Sequence, residues 1–200
     1  DAPRLSARAD AMSTTNVAIL AKRGTIYDRN GNVLATSVEC RTLYCNPRAV
    51  GDKNAAAQVL ADKLGGQASD YLPTLSQDTT FAYLKRQVDT DVATDVISTL
   101  SSKDIEGVYT LADVKRVYPY GATAGQVLGF IGTDGHGLSG LELQYDDVLS
   151  GTDGEMLVER GRDGSPVAGG ASEIHEATDG TDIVVSLDVN VQRVAEEPNR

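Results

Sequence analysis

The chain has 200 residues, of which 40% are hydrophobic, enough to bury a core in one large domain or two small ones. Its 29 acidic and 18 basic residues give a net charge of −11 without long runs of one sign, which argues against a nucleic-acid binder, whose footprint is a basic patch. No window reaches about 18 consecutive apolar residues and the N-terminal residues lack the apolar core of a signal peptide, so the sequence as given predicts a soluble chain without a membrane-spanning helix.

The first clear element is a β-hairpin in GTIYDRNGNVLATS, Gly24 to Ser37. The preceding residues, 1–16, are polar with Ala and Ser and predict a leading helix or arm. In the hairpin, two apolar runs flank Asn30-Gly31, a pair typical of a two-residue type I′ turn. Arg23, Asp28 and Arg29 crowd this turn, and a hairpin alone does not explain these charges.

Helices are predicted further along the chain, after an extended segment that Pro47 ends. One runs through NAAAQVLADKLGG, with Asn54 as its N-cap and Gly65 at its end. Another lies in DTDVATDVISTLSS, where Val, Ile and Leu recur at helical spacing. Between them, FAYLKRQV fits either a helix or a strand.

The second half of the chain returns to strands, beginning with GVYTLADVKRVYPYG. In GLSGLELQYDDVLSG, Ser139 and Glu142 form the S-x-x-E pattern of a capping box, and the pattern predicts one helix with its apolar stripe on Leu141, Tyr145, Val148 and Leu149 and its stop at Gly151. A hairpin with its turn at 162–165 and a buried strand in DIVVSLD follow. Separate helices and antiparallel hairpins together predict an α+β fold.

No catalytic constellation is recognisable from the residues. His136 near Asp134, and His175 beside two glutamates, lack the paired histidines of a zinc site, so we interpret both as loop residues. Asp146 and Asp147 are adjacent on a predicted helix and point in different directions, so we interpret them as solvated. We interpret the two cysteines, Cys40 and Cys45, as reduced, small, partly buried residues. No metal, cofactor or small-molecule ligand is predicted.

Four ordered segments carry a family resemblance: RGTIYDRNGNVLA, RVYPYG with VLGFIG, GLSGLELQYDDVLSGTDG, and GTDIVVSLDVNVQ. In this order they resemble the signature segments of class B penicillin-binding proteins, in the N-terminal pedestal that is often called the dimerization domain. The match runs from about residue 20 to 192. One departure is Ser139, where the family usually has Glu.

The resemblance implies a pedestal that stands between a membrane anchor and a D,D-transpeptidase domain on the extracytoplasmic side of the bacterial cell membrane. It implies a juxtamembrane arm at 1–16, a pedestal core at 17–45 and 111–190, an inserted head at 46–110, and a truncated lead-in to the transpeptidase at 186–200. The catalytic motifs S-x-x-K, S-x-N and K-T-G are absent in usable form, since none of the six lysines stands three residues after a Ser or before Thr-Gly. The chain itself is therefore predicted not to be an enzyme, and the absent anchor and catalytic half suggest a piece of a longer protein.

The implied partners are the transpeptidase domain of the parent chain and membrane proteins of cell-wall synthesis, with a homodimer as a further option. We expect Arg23 and Arg29 to pair with carboxylates of distant segments, with Asp28, Glu142 and Asp182 as candidates. The alternative is that these arginines are exposed hairpin charges. The residues predicted to have structural or interdomain roles are Arg23, Gly24, Asp28, Arg29, Asn30, Gly31, Arg116, Tyr118, Pro119, Gly140, Leu141, Glu142, Tyr145, Gly151 and Asp188.

The residues also leave open a second function. A free-standing module that binds the cell wall, or a small hydrolase built on the same fold, would account for the sequence without a transpeptidase domain.

Overall fold

The computed structural model of the protein describes residues 13–160 and 173–190. The strands in these ranges are β1 (Ser13–Ile19), β2 (Ile26–Tyr27), β3 (Val33–Cys45), β4 (Ala82–Val88), β5 (Val108–Val117), β6 (Gly154–Arg160), β7 (Glu173–His175) and β8 (Ile183–Val184). The helices are α1 (Lys53–Leu64), α2 (Ala68–Leu75), α3 (Thr90–Ser102), α4 (Gly125–Leu128), α5 (Gly140–Gln144) and α6 (Asp146–Leu149). The α+β prediction is confirmed.

The strands form two sheets. The first has the order β1-β6-β7, and β6 and β7 are antiparallel. The second has the order β4-β3-β2-β8, with β5 also paired to β3. Its β2–β3 and β3–β4 pairs are antiparallel, whereas β2 and β8 run parallel, with Ile26 opposite Ile183.

The chain divides into two compact units. We call the first the helical unit; its described residues are 13–18, 40–113, 155–160 and 173–175. We call the second the hairpin unit; its described residues are 19–39, 114–154 and 176–190. Each unit has its own apolar core, as is usual for a compact folding unit.

The core of the helical unit lies where α1, α2 and α3 pack on the inner faces of β3, β4 and β5. Its largest fully buried side chains are Leu43, Leu60, Leu75, Val96 and Leu100, each no more than 2% exposed. Leu60 in α1, and Val96 and Leu100 in α3, lie on the buried faces of the two helices predicted for these segments. Both long helices are therefore confirmed.

Three details of the helical unit correct the prediction or settle a point that it left open. The N-cap of α1 is Asp52, whose carboxylate accepts the Ala55 N–H at 3.0 Å, so Asn54 lies inside the helix and its assignment as N-cap was wrong. The ambiguous FAYLKRQV segment forms β4. Helix α2 was missed because Pro73 stands inside it, and a proline there normally argues against a helix.

The hairpin unit packs around Ile26, Leu34, Leu128, Leu149 and Val189, which are all at most 2% exposed. These residues come from β2, β3, α4, α6 and the segment after β8. The unit is therefore held together by contacts between parts of the chain that are distant in sequence, and local propensity alone cannot form it.

The predicted hairpin is present, but its turn type was wrong. Only Gly31 has a positive φ, 83°, whereas a type I′ turn needs positive φ at Asn30 as well. The Gly31 N–H donates to the Asp28 carbonyl at 3.1 Å, and the Asp28 N–H donates to the Asn32 carbonyl at 2.8 Å. These bonds define a three-residue loop, a type I turn followed by a glycine in the left-handed region.

The second half of the chain departs further from the prediction. The single helix predicted over 140–150 is split into α5 and α6 at Tyr145, and Tyr145 and Val148 are exposed, so the apolar stripe holds only for Leu149 and the half-buried Leu141. The strand predicted in DIVVSLD is only two residues long, and Val184 is 70% exposed, so this strand is not buried. The predicted turn at 162–165 lies outside the described residues.

The described helices are short. The longest, α3, has 13 residues, and none of those described combines the length and apolar character that crossing a bilayer requires.

Candidate functional site, a buried charge cluster

The hairpin unit contains a cluster of charged side chains, which we call the charge cluster: Arg23, Arg116, Glu142 and Asp146. Its centre is the Glu142 side chain, which is completely buried in the first turn of α5. The Arg116 guanidinium, only 2% exposed, donates to both carboxylate oxygens of Glu142, at 2.7 Å from Nη2 and 3.2 Å from Nε. Two parallel bonds of this kind give the strongest geometry available to an arginine and a carboxylate.

Arg23 is the second cation of the charge cluster and is 4% exposed. Its Nη1 donates to Asp146 Oδ1 at 2.6 Å and its Nη2 donates to the Glu142 carbonyl at 2.6 Å. Its Nε lies 3.4 Å from Glu142 Oε2, a charge contact without a hydrogen bond. The predicted pairing of Arg23 with Glu142 is found, and the alternative of an exposed Arg23 is wrong.

Arg116 also ties the charge cluster to the start of the hairpin. Its Nη1 donates to the Gly24 carbonyl at 2.7 Å and to Ser37 Oγ at 3.1 Å. One guanidinium thereby contacts α5, the residue Gly24 before β2, and Ser37 within β3. Tyr118 directly follows β5, and its hydroxyl donates a hydrogen bond to Glu142 Oε2 at 3.3 Å.

The chemistry of Tyr118 is set by this surrounding. Burial, together with the negative charge of Glu142, raises the pKa of Tyr118 to about 12. The hydroxyl therefore stays protonated and remains a donor to Glu142. Pro119 follows it in an exposed turn that closes with the Gly121 N–H on the Tyr118 carbonyl at 2.9 Å.

The capping box predicted for Ser139 and Glu142 is wrong. Ser139 is at the N-cap of α5, but its side chain makes no capping bond, and the Glu142 carboxylate is turned into the core toward Arg116. The S-x-x-E pattern is the same for both arrangements. Glu142 turns inward because it pairs with Arg116 on β5, and the local sequence around Glu142 gives no sign of that partner.

Asp146 was also misjudged as a solvated carboxylate. Its Oδ1 accepts from Arg23 and, at 2.8 Å, from the Gly137 N–H, and its Oδ2 lies 3.0 Å from Nδ1 of the exposed His136. Burial alone would raise the pKa of Asp146, but the hydrogen bonds from Gly137, Arg23 and His136 lower it overall. The same bond to Asp146 raises the pKa of His136 above its usual value. His136 is a loop residue as predicted, whereas His175 lies in β7.

A second set of contacts surrounds the hairpin loop. The Asp28 carboxylate accepts the N–H groups of Asn30 at 2.9 Å, Asn32 at 2.8 Å and Val189 at 3.2 Å, and the Asn32 side-chain amide at 3.0 Å. Burial alone would raise the pKa of Asp28, but these donors hold it at about 2. Asp28 is therefore a loop organiser, and it is not the partner of an arginine.

Arg29 is an exposed residue of this loop. Its backbone N–H donates to the Leu187 carbonyl at 3.0 Å, and its guanidinium pairs with Asp188 at 2.9 Å, with 58% of the Arg29 side chain exposed. Asn30 adds a side-chain bond to the same Asp188 oxygen at 3.2 Å. The predicted candidates for Arg29 were wrong, because Asp182 instead accepts the Thr25 N–H at 2.7 Å.

Three of the predicted glycines lie where backbones approach closely. A Cβ at Gly24 would overlap the Thr181 carbonyl, and a Cβ at Gly151 would overlap the Thr178 carbonyl. Gly140 has a φ of 58° at the start of α5, and a Cβ there would lie 2.5 Å from the Val127 carbonyl. These contacts fix the 178–181 segment and α5 against their neighbours.

The contacts of this site are structural, because its charged side chains pair with one another and with backbone groups of the same unit. Within residues 13–160 and 173–190, no group of three or more His, Cys, Asp and Glu side chains is arranged to hold a metal ion. Both cysteines are buried, and burial raises the pKa of Cys45 to about 12, which makes this thiol unreactive. The charge cluster and the loop contacts together join the hairpin, β5, α5, α6 and the 187–189 segment.

The family model described as the Penicillin-binding Protein dimerisation domain matches residues 18–185, and the chain belongs to this family, which is that of class B penicillin-binding proteins.

The chain is similar to several named members. It is 37% identical over 192 residues to penicillin-binding protein PbpB of Mycobacterium tuberculosis, covering 86% of this chain and 28% of that protein. It is 36% identical over 184 residues to the probable peptidoglycan D,D-transpeptidase PenA of Neisseria gonorrhoeae, covering 90% of this chain and 31% of that protein. The chain thus spans less than a third of the length of these relatives.

Solved structures show the same fold. Penicillin binding protein 2X of Streptococcus thermophilus matches with a TM-score of 0.69 and 31% identity, over 91% of this chain and 30% of that one. A penicillin-binding protein, PBP2, of Helicobacter pylori, solved in a complex with MreC, matches with a TM-score of 0.62 and 19% identity, over 92% of this chain and 38% of that one.

The charge cluster predicts a contrast between two arginines. Replacing Arg23 with Ala leaves two carboxylates short of a buried partner, so we expect a loss of about 3–5 kcal/mol in the free energy of unfolding. Arg29→Ala removes an exposed pair and should cost under about 1 kcal/mol. At this chain length each kcal/mol corresponds to about 2–4 °C in the thermal midpoint, so differential scanning calorimetry separates the two. Equal shifts for both variants would contradict the assignment.

A second contrast tests the role of Glu142. We expect Glu142→Gln to lower the thermal midpoint by several degrees, because the neutral amide leaves Arg116 buried without its full counter-charge. Ser139→Ala should stay within about 0.5 kcal/mol of the parent, because its side chain makes no capping bond. If Ser139→Ala were the more damaging variant, the capping box would be the correct assignment.

The hairpin loop predicts a dependence on acid. Because the pKa of Asp28 is about 2 in the folded chain and about 3.9 in an unfolded one, its contribution to stability is complete above about pH 4 and is lost as the pH falls toward 2. Urea unfolding followed between pH 2 and 6 should show a shallower loss for Asp28→Asn than for the parent. An identical slope in both proteins would mean that Asp28 is not held as described.

Proposed function

We propose that the chain is the non-catalytic pedestal of a class B penicillin-binding protein and positions a D,D-transpeptidase domain on the outer side of the bacterial cell membrane. The family assignment supports this proposal, as does the fact that relatives about three times longer are named peptidoglycan D,D-transpeptidases. The substrate of that domain would be the stem peptides of peptidoglycan, and this chain would not touch them.

The observation that carries the proposal is the grip of the hairpin loop on the 187–189 segment. Asp28 accepts the Val189 N–H, the Arg29 N–H donates to Leu187, and the Arg29 guanidinium binds Asp188. Val189 is 2% exposed and belongs to the core of the hairpin unit. A pedestal must fix the chain where it leaves for the next domain, and these contacts fix it at residues 187–189.

The proposed layout follows the sequence prediction. The core comprises 17–45 and 111–190, the head is 46–110, the arm near the membrane is 1–16, and 186–200 leads into the transpeptidase. The charge cluster then serves to hold the hairpin unit rigid. Arg116, Glu142 and Arg23 are positioning residues in this scheme, since their partners are other parts of the pedestal.

The proposed partners are proteins of the cell-wall synthesis machinery. The support is that the Helicobacter pylori relative of the same fold was solved with MreC. In this arrangement one surface of the pedestal would bind such partners, and another would contact the transpeptidase domain of the same parent chain. A homodimer is a further arrangement that the same surfaces allow.

The reading frame beyond residue 200 tests the proposal. We expect it to encode S-x-x-K, then S-x-N, then K-[ST]-G, the motifs of an acylated serine enzyme. We also expect a β-lactam to leave the intact mass of the present chain unchanged and to add one covalent adduct to the longer protein. A stop codon directly after the chain would overturn the pedestal role and favour a free-standing module, and a stoichiometric adduct on the present chain would show that it is itself catalytic.

A further inference from the structure

The helical unit has a groove of about 670 Å³ that is lined by residues of α3, β3 and β5. On α3 its lining residues include Thr90, Thr94, Ser98 and Ser101, which lie on one face because they are spaced by three or four positions. Thr110 adds a hydroxyl from β5. A volume between about 300 and 1,000 Å³ is typical of small-molecule sites.

These hydroxyls are available to a ligand. Thr94 donates to the Thr90 carbonyl at 2.9 Å within the helix, whereas the hydroxyls of Ser98, Ser101 and Thr110 have no partner among the described residues. Ala93, 1% exposed, and the half-buried Ile97 give the groove an apolar floor. No carboxylate lines it.

Arg41 of β3 is the one charged residue of this lining, and it is half-buried. The other arginines whose side chains the structure describes all have partners. Arg23, Arg29, Arg48 and Arg116 pair with carboxylates, and Arg86 lies 5.0 Å from the centre of the Tyr83 ring. Arg41 has none within residues 13–160 and 173–190, in a chain whose net charge is −11.

Arg41 is a half-buried cation that forms no ion pair with the described residues, and it lies beside neutral hydroxyls and apolar side chains. We propose that this groove binds a sugar unit that carries a carboxylate. The Arg41 guanidinium donates to the carboxylate, the Ser and Thr hydroxyls donate to and accept from sugar hydroxyls, and Ala93 and Ile97 contact a C–H face of the ring.

A peptide with a terminal carboxylate is a poorer complement. It would bring backbone N–H groups that only donate, whereas sugar hydroxyls both donate and accept and so match the Ser and Thr hydroxyls of the lining in both roles. The inference goes beyond the proposed pedestal role and uses that role only to choose the probe, because cell-wall glycan contains a carboxylated amino sugar.

The experiment is an NMR titration of the full chain with two sugars that differ by one group. N-acetylmuramic acid is N-acetylglucosamine with an added lactyl carboxylate. We expect N-acetylmuramic acid to shift the backbone amides of α3 and the Arg41 side-chain signal, with an affinity in the millimolar range because the groove is open. N-acetylglucosamine should bind about tenfold more weakly, because it lacks the charge-assisted bonds.

Two variants complete the test. Arg41→Gln should weaken binding of N-acetylmuramic acid about tenfold and leave N-acetylglucosamine unchanged, whereas Arg86→Gln, which removes an exposed arginine outside the groove lining, should change neither. Equal affinity for both sugars, or no shift in α3 with either, overturns the proposal. Shifts with N-acetyl-alanyl-alanine and not with the acid sugar also overturn it and assign the groove to peptides. Each of these results is independent of the reading-frame test of the pedestal role.

Discussion

Burial of charge is the constraint on which the hairpin unit depends. A guanidinium removed from water costs several kcal/mol unless a carboxylate meets it in good geometry, and Glu142 meets Arg116 with both oxygens while lying wholly out of solvent. Arg116 and Glu142 are 26 residues apart along the chain. Arg23, which contacts the same helix, is 119 residues from Glu142. The unit is therefore stable only when β5, α5 and the start of the hairpin come together, because a partial arrangement leaves buried charges without partners.

The same constraint separates what the sequence could predict from what it could not. Helices α1 and α3 were predictable because Leu60, Val96 and Leu100 recur at helical spacing and bury against one core. The hairpin was predictable from its flanking apolar runs and Gly31, although its turn type depended on Asp28, whose carboxylate collects four donors and favours a longer loop. Local preference and tertiary packing agree in the two helices and in the strands of the hairpin, and they disagree in its turn.

The sequence predicted which residues form the candidate site better than it predicted which of them pair with each other. The family resemblance pointed to Arg23, Arg116, Tyr118 and Glu142, and the structure brings these four together. It could not predict that Glu142 points inward from an S-x-x-E pattern, or that Asp146 completes the pairing of Arg23, because both depend on side chains that approach from distant segments. The nearest signal in the sequence is the loop 132–137, which contains three glycines and precedes Asp146. Its Gly137 N–H donates to the Asp146 carboxylate.

The hairpin loop also has a mechanical consequence. A chain that continues past Asn190 transmits any pull to the segment 187–189 first, where the load is shared by the Asp28 carboxylate, the Arg29 backbone N–H and the Arg29 guanidinium. These bonds and the buried Val189 side chain lie between such a pull and the two-residue pairing of β8 with β2. A small loop thus works as an anchor point, and it shields the rest of the unit from forces applied to whatever the chain carries beyond it.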